Sequence, residues 1–307
     1  MKKIKRIFSL LLILTIVASV IPTPAKAMTI RKVTSVKVKE KKGKYKWYKK
    51  GKKTIYEKYK YMQLSWKKVT GVSGYEIYRY GEASKQWYKV KTTSKKVTTY
   101  AIPEIEKGMK VQLKVCAYKN TSSGKIYSEF SSVRSFKGKR DYAENAKMKH
   151  GGYDKKYKFW DAPKIKTKHY RFLSEYAFVI QNKYRTAKGI APLEWNEAVY
   201  KGAKIRSKEL IEKYDHERPN GKTIFSAVND RLKANEPHYS LSENIACGQT
   251  SARETMKAWK ASKNHYESLM ANKHIYGAIS IYIDDGDYYS VSLLARISKS
   301  PKWKNNQ

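Results

Sequence analysis

The hydrophobic periodicity of this 307-residue chain changes once along its length. From Val33 to about Phe136, apolar and polar residues alternate in short runs bounded by glycine, as in "YMQLSW" and "GYEIYRY". From about Tyr170, apolar residues recur every three or four positions, as in "YRFLSEYAFVIQNKYRTAKG". A period of two is typical of half-buried strands, and a period of 3.6 is typical of amphipathic helices. The chain is therefore predicted to form an all-β domain followed by a helix-rich one.

Three alternating runs of the first region predict which strand faces form its core. Alternate residues of each run are apolar, so they are expected to lie together on one side of a sheet. The predicted inward positions are Met62, Leu64, Trp66, Tyr75, Ile77, Arg79, Val111, Leu113, Val115 and Ala117.

The order of these runs resembles a fibronectin type III domain. "LSWKKVTGVSGYEIYRY", "GMKVQLKVCAY" and "SEFSSV" carry the resemblance, with Trp66 at the position of the buried tryptophan. One departure is Val111, which stands where the family usually has a corner tyrosine. The resemblance implies a β-sandwich over residues 28–137 that acts as a spacer or binding module.

A Lys/Tyr-rich stretch, "KEKKGKYKWYKKGKKTIYEKYKY", precedes that core and is predicted to form an extended hairpin. Residues 28–140 contain 31 basic and 7 acidic residues, a net charge of +24, against +11 for residues 141–307. Basic residues interleaved with aromatics suit a polyanion or an acidic glycan, but they also protect an exposed strand from aggregation. Both interpretations stay open. The predicted polyanion-binding residues are Lys44, Lys46, Trp47, Tyr48, Lys49, Lys50, Lys52 and Lys53.

The N-terminus predicts export. "MKKIKR", the apolar run from Ile7 to Ile21 and the small-x-small "AKA" together match a secretory signal peptide at residues 1–27. An uncleaved membrane anchor is the alternative, and no later stretch is apolar enough to span a membrane. The formal charge of +40 outside a cell favours an anionic cell-envelope polymer or acidic glycan over a specific nucleic acid. We therefore expect a secreted, extracellular or wall-associated bacterial protein. Cys116 and Cys247 lie in different predicted domains, so a disulfide between them is not expected.

The second region is predicted to be an α+β domain. Residues 138–167 show no sustained period and are interpreted as a linker, residues 168–300 as the domain and residues 301–307 as a tail. The last helix is predicted to run unbroken through "SARETMKAWKASKNHYESLMA", and the strands "YGAISIYI" and "YYSVSLLARI" follow it. Helices that enclose a small sheet form a layered domain.

Three groups in this domain could carry chemistry: His216, Glu243 and His265. Two imidazoles and one carboxylate form a zinc-type ligand set with an open position, and the same groups could transfer protons. Each also has a plain structural interpretation. His216 follows a helix that it could cap, and Glu243 beside Ser242 could start one.

Four blocks of this domain resemble the CAP superfamily, also called the SCP domain: "FVIQNKYRTAKGIAPLEWNEAVYKGAKIRSKEL", "YDHERPNGK", "SENIACG" and "AWKASKNHYESLM". The resemblance implies an α-β-α sandwich with a cleft that contains His216, Glu243 and His265. Ser262 stands where eukaryotic members have a second glutamate, and Glu254 is the candidate substitute. Asn244 is expected to hold the cleft loop. The implied ligand is a divalent metal, zinc in the first instance, or a small hydrophobic molecule.

Three functions follow from these observations. The first is a cationic binding or adhesion protein, the second a metal- or His/Glu-assisted hydrolase, and the third a structural wall or coat component. The first is preferred, since the chain has no hydrolase motif such as GxSxG or HExxH. Residues outside the blocks are interpreted as solvated: Glu209, Glu212, Glu217, His150, His169, His238 and His274.

Overall fold

The structure is a computed structural model that describes residues 29–50, 53–142, 153–154, 159–160, 168–233, 235–284 and 287–298. The predicted signal peptide, most of the predicted linker, the tail and His150 lie outside the described residues. Lys52 also lies outside them, as do the side chains of residues 44–50 and 53–57. Among the described residues, none of the helices is long and apolar enough to cross a membrane.

The first region consists of two antiparallel sheets. One has the order β1-β2-β5, with β1 at Lys37–Lys50, β2 at Lys53–Ser65 and β5 at Thr99–Ile102. The other has the order β4-β3-β6-β7, and β8 also pairs with β6. Its strands are β3 at Gly74–Gly81, β4 at Gln86–Ser94, β6 at Lys110–Thr121, β7 at Gly124–Tyr127 and β8 at Arg134–Lys137.

The predicted core positions of this region are confirmed. All ten predicted inward side chains are buried, including Arg79, whose exposed fraction is 2%. The region is therefore β-rich and antiparallel as predicted, and its resemblance to fibronectin type III stays a prediction.

The long hairpin is also confirmed. Strands β1 and β2 pair along their whole length, with a register shift between Lys46 and Tyr48. At its base Val38 pairs with Leu64, which is fully buried in the core. Two residues further out on the same face, Glu40 pairs with Met62 at the edge of that core.

The second region has helices on both faces of a mainly antiparallel sheet. The sheet order is β11-β14-β15-β13, and β12 pairs parallel to β14. Helices α1, α4 and α5 pack on one face, and α2 and α3 pack on the other. The strands are β11 at Lys168–His169, β12 at Glu194–Trp195, β13 at Tyr239–Gln249, β14 at Tyr276–Asp284 and β15 at Asp287–Ile297; β9 at Tyr153–Asp154 pairs with β10 at Phe159–Trp160. The helices are α1 at Arg171–Thr186, α2 at Glu197–Glu209, α3 at Ile224–Asn229, α4 at Ala252–Ala261 and α5 at Lys263–Met270.

Two predictions for this region are wrong. The last helix is not continuous, because Ser262 adopts an extended backbone (φ −90°, ψ 121°) that ends α4 and starts α5. Glu243 does not start a helix, because it lies in the middle of strand β13, opposite Leu293. The residues after Glu243 continue the strand to Gln249, so no helix starts at Glu243.

The loop between β5 and β6 joins the two regions through buried carboxylates. Glu104 accepts a hydrogen bond from the backbone N–H of Phe172 in the first turn of α1 (2.8 Å). Glu106 accepts from the N–H groups of Ala252 (2.7 Å) and Arg253 (3.3 Å) at the start of α4. The first N–H groups of a helix lack intrahelical partners and favour negative charge, so one domain caps two helices of the other. We call this contact the domain junction.

Arg79 holds that loop in place from the core-facing side of β3. Its guanidinium donates to the carbonyl oxygens of Pro103 (2.7 Å) and Glu104 (2.9 Å) and lies 4.0 Å from the ring centre of Phe172. Glu104 has a φ of 55°, a left-handed conformation that non-glycine residues seldom adopt. The contacts of the domain junction therefore hold the loop between β5 and β6 in a strained backbone conformation.

Glu175 of α1 makes the reciprocal contact with the first region. Its carboxylate accepts from the N–H of Ala83 (3.1 Å) and from the hydroxyl of Ser84 (3.0 Å), and it pairs with Arg171 (2.9 Å). Apolar residues of both regions, such as Ile105 and Tyr176, belong to one continuous buried cluster. The two regions thus share one hydrophobic core.

Candidate functional site

His216 lies in the loop after α2 and is held by a buried carboxylate. Its Nδ1 is 3.0 Å from Oε1 of Glu243 on strand β13. The Glu243 side chain is only 1% exposed, whereas that of His216 is 60% exposed. The imidazole therefore has one nitrogen fixed against the sheet and the rest of the ring open to solvent.

A buried arginine supports this pair. Arg206 in the last turn of α2 is 0% exposed and donates to both oxygens of Glu243, at 2.9 and 3.3 Å. It also donates to the backbone oxygen of Asp215 (2.6 Å), which ties the histidine loop to the helix. A buried charge is tolerated when it is paired and hydrogen-bonded, and Arg206 meets both conditions.

The same arginine extends the network to a second acid. Arg206 donates to Glu209 (2.9 Å), and Glu209 also binds Arg218 (2.7 Å). Burial alone would raise the pKa of Glu209, but Arg218 and Arg206 outweigh it and lower the pKa. The interpretation of Glu209 as a solvated helix charge is therefore wrong, because the residue bridges two arginines and helps to fix the loop.

His265 approaches the same place from α5. Asn244, which is 2% exposed on β13, donates to the backbone oxygen of His265 (3.0 Å) and holds that turn of the helix. Burial lowers the pKa of His265, and the charge of His216 lowers it further. The structure thus joins His216 to Glu243 and holds the backbone of His265 beside Asn244 of the same strand, and the cleft formed by all three side chains stays a prediction.

The geometry assigns a tautomer to His216. An ionised carboxylate can only accept, so in the neutral imidazole Nδ1 carries the hydrogen and Nε2 keeps its lone pair. Such a nitrogen can ligate a cation, accept a proton or accept a hydrogen bond from a ligand. Carboxylates that orient a ligating histidine in this way are usual around metals.

Glu243 itself fits a metal poorly. Both of its oxygens are engaged, by Arg206 and by His216. Among the described residues, no group of three or more His, Cys, Asp or Glu side chains is placed to hold a metal ion. The two imidazoles therefore remain the donors for the predicted zinc, and that site stays a prediction.

The other predicted cleft residues have local roles. Glu254 accepts from the N–H (2.8 Å) and the hydroxyl of Thr250, and its own N–H donates to Ser251 (3.1 Å), an arrangement that caps α4. Ser262 lies at the break between α4 and α5. Lys213 pairs with Glu217 at 2.7 Å on the surface.

Two histidines outside the blocks are partly or fully removed from solvent. His274 is 5% exposed, and burial lowers its pKa to about 4. His169 is partly buried at a cavity of about 520 Å³ that Lys204 and Lys208 also line, and burial lowers its pKa to about 4. The interpretation of His274 as a surface residue is therefore wrong, whereas His169 stays partly exposed at the cavity.

Sequence reasoning missed Arg206, although a signal was present. Val199, Ala203 and Leu210 form the buried stripe of α2, and Arg206 lies on the same stripe. A charged residue at a core position requires a buried partner. Within the SCP-like blocks, Glu243 was available as that partner.

Comparison with known proteins places part of the chain in a family. Residues 180–294 match the model of CAP, the cysteine-rich secretory protein family. A curated relative, the uncharacterized protein YkwD of Bacillus subtilis (strain 168), is 26% identical over 120 residues. The alignment covers 38% of this chain and 45% of that protein, so it spans less than half of the relative's length.

Solved structures show similarity at lower identity. An extracellular protein containing an SCP domain from Bacillus anthracis str. Ames is 12% identical, with 73% of this chain and 86% of that chain covered and a TM-score of 0.37. An outer surface protein from Borrelia burgdorferi is 17% identical, with 40% and 92% covered and a TM-score of 0.36. From the family match, residues 180–294 of this chain form a CAP (SCP) domain.

Proposed function

We propose that this chain is an exported, cationic binding protein whose β-rich region holds an anionic polymer of the cell envelope. The observation that carries the proposal is the register of the hairpin. Beyond Glu40 and Met62, Lys42 lies opposite Lys60 and Lys44 lies opposite Lys58. Like charges directly opposite on neighbouring strands destabilise a sheet.

A polyanion would relieve that repulsion. Glu40 is the acid at the base of this stretch, and its carboxylate already binds Lys60 (3.1 Å), Arg140 (3.5 Å) and Tyr142 (2.9 Å). Other lysines of the hairpin stem, such as Lys39 and Lys41, are exposed. Phosphate or carboxylate groups spaced along a polymer can neutralise several of these ammonium groups at once and release their counterions.

Charge-matched variants test this proposal. We expect Lys49→Gln, Lys50→Gln, Lys52→Gln and Lys53→Gln together to weaken binding of polygalacturonate and of poly-L-glutamate by about tenfold or more. The control carries Lys201→Gln, Lys208→Gln, Lys257→Gln and Lys263→Gln, four exposed lysines of the CAP domain. Equal weakening in the two quadruple variants would show that total charge, and not the hairpin, governs binding.

The CAP domain supplies a second, smaller site in this proposal. His216 and His265 bind a divalent cation, zinc in the first instance, and Glu243 orients His216 without ligating the metal. Two imidazoles suit zinc, and a ring that has taken up a proton cannot ligate it.

Calorimetry with zinc separates these roles. His216→Ala and His265→Ala should each remove binding, Glu243→Gln should weaken it by about tenfold or more, and His238→Ala should leave it unchanged. Equal zinc affinity in all four variants would contradict the site. In that case the solvent-facing Nε2 of His216, oriented by a buried carboxylate, favours proton transfer, the hydrolase alternative.

A further inference from the structure

The outward face of the second sheet carries a cluster of aromatic rings around a lysine. Tyr127 is 48% exposed and Phe130 is 38% exposed, both high for large apolar side chains on a sheet face. Tyr78, Tyr80 and Trp87 on the same face are partly exposed, and exposed apolar patches on a protein surface can mark binding sites. We call the cluster the aromatic platform, and it consists of Tyr78, Tyr80, Trp87, Lys114, Tyr127 and Phe130.

The rings of the platform contact one another in fixed orientations. Tyr78 meets Phe130 edge to face, with centroids 5.1 Å apart, and Tyr80 lies 5.3 Å from Trp87. The ammonium group of Lys114 lies 3.9 Å from the Phe130 ring centre and 4.4 Å from that of Trp87. Edge-to-face and cation-π contacts restrict the rotamers of each ring, so the surface is ordered before any ligand arrives.

A buried glutamate supports the platform from beneath. Glu76 is 0% exposed, although its side chain belongs to the face of β3 opposite the core residues Tyr75 and Ile77. It accepts hydrogen bonds from the hydroxyls of Tyr78 (3.0 Å) and Tyr127 (3.4 Å). The two aromatic residues are thereby anchored to one carboxylate.

Two lysines complete the enclosure of that carboxylate. Lys125 and Lys89 bind Glu76 at 3.1 and 3.4 Å, and their side chains remain 39% and 48% exposed. Burial alone would raise the pKa of Glu76, but the hydrogen bonds from Lys125, Tyr78 and Lys89 outweigh it and lower the pKa. Solvent therefore meets rings and ammonium groups here, while the negative charge is hidden.

We infer that the aromatic platform binds the sugar rings of an acidic polysaccharide. The inference rests on the proposed polymer binding and names the class of polymer. Exposed aromatic faces pack against the apolar faces of sugar rings, and the ammonium groups of Lys89, Lys114 and Lys125 complement carboxylates on the same chain. A polyphosphate or an acidic polypeptide offers the charge without the flat sugar face.

The test compares two probes that share charge and differ in sugar content. Polygalacturonate is the saccharide probe, and poly-L-glutamate of the same number of carboxylates is the other. Phe130→Leu combined with Tyr127→Leu keeps apolar volume but removes two rings. We expect this variant to bind polygalacturonate about fivefold to tenfold more weakly, and to bind poly-L-glutamate within about twofold of the unmodified chain.

Two further variants keep the result interpretable. Val133→Ala changes an apolar residue that is 44% exposed in the same segment and should leave both affinities unchanged. Phe130→Tyr retains the ring and should retain polygalacturonate binding. Thermal unfolding confirms that each variant is folded.

The outcomes separate this inference from the proposed function. Equal weakening of both probes, or of neither, in the ring variant overturns the role of the platform as a sugar site. Loss of binding in the hairpin quadruple variant tests polymer binding as such. A hairpin variant that binds both probes normally would overturn the proposed function, whatever the ring variant shows.

Discussion

The domain junction and the hairpin differ in how their charged side chains are placed. At the junction, Glu104, Glu106 and Glu175 are at most 6% exposed, and each carboxylate accepts from backbone N–H groups of the other domain. In the hairpin, Lys42 and Lys60 face each other near solvent, with Glu40 at the base of the stem as the counter-charge of Lys60. Each junction carboxylate has its hydrogen-bond donors within the protein, whereas the hairpin has an excess of positive charge.

The difference explains why the surface is more basic than the composition suggests. Acids are few in this chain, and several of them are enclosed: Glu76, Glu104, Glu106, Glu175 and the side chain of Glu243. Glu104, Glu106 and Glu175 accept from backbone N–H groups and Glu243 accepts from Arg206, whereas Glu76 pairs with the partly exposed Lys89 and Lys125. Stability and binding are therefore assigned to different charged groups, and variants at each should behave differently.

The largest effect is expected at Glu106. Replacing it with alanine leaves the N–H groups of Ala252 and Arg253 buried without their acceptor and removes a cap from α4. We expect a loss of about 2 to 4 kcal/mol in the free energy of unfolding, measured by denaturant titration. The matched control is Glu129→Ala, whose side chain is 83% exposed in the same domain. A loss in Glu106→Ala no larger than in the control would contradict the structural role of the junction.

The second effect is a pH dependence that originates from the same residue. Burial raises the pKa of Glu106, and the charge of Asp141 adds to that shift, although the N–H groups of Ala252 and Arg253 oppose it. Because the folded state takes up the proton more readily than the unfolded state, its stability should rise as pH falls from 7 toward 4.5. The measurement is the free energy of unfolding of the wild type and of Glu106→Gln at several pH values in this range. The wild type should gain stability relative to the variant, and a constant difference would contradict the assignment.

The smallest change in the free energy of unfolding is expected in the hairpin, and it is an increase. Lys42→Gln removes one member of the pair with Lys60, so it should stabilise the chain by about 0.2 to 1 kcal/mol. Differential scanning calorimetry at low salt, where the repulsion is least screened, gives the shift. Lys139→Gln, an exposed lysine outside the hairpin, is the control. Destabilisation by Lys42→Gln would show that the lysine serves the fold and not a ligand.

Periodicity was sufficient to predict the core of the β-rich region and the hairpin. Alternation determines which residues face inward, so the positions from Met62 to Ala117 could be assigned without coordinates. His216 and Glu243, taken from separate motif blocks, lie 3.0 Å apart, and their site with His265 stays a prediction. These features depend on local pattern or on spacing within one domain.

The junction and the supports of the site could not be predicted in the same way. Glu104 and Glu106 stand in a short loop with no pattern that points to helices more than 60 residues away. The break at Ser262 has no glycine or proline to mark it. Arg79 and Arg206 were recognisable only as charges at core positions, since their partners depend on how distant elements pack.

The salt dependence of polymer binding shows whether the hairpin lysines neutralise the polymer. The association constant for polygalacturonate should be measured at several salt concentrations for the wild type and for the two quadruple lysine variants. If the hairpin lysines neutralise the polymer, removing four of them should reduce the slope of log K against log salt by about three, while the CAP-domain variant keeps the wild-type slope. Identical slopes for the wild type and the hairpin variant would contradict the account.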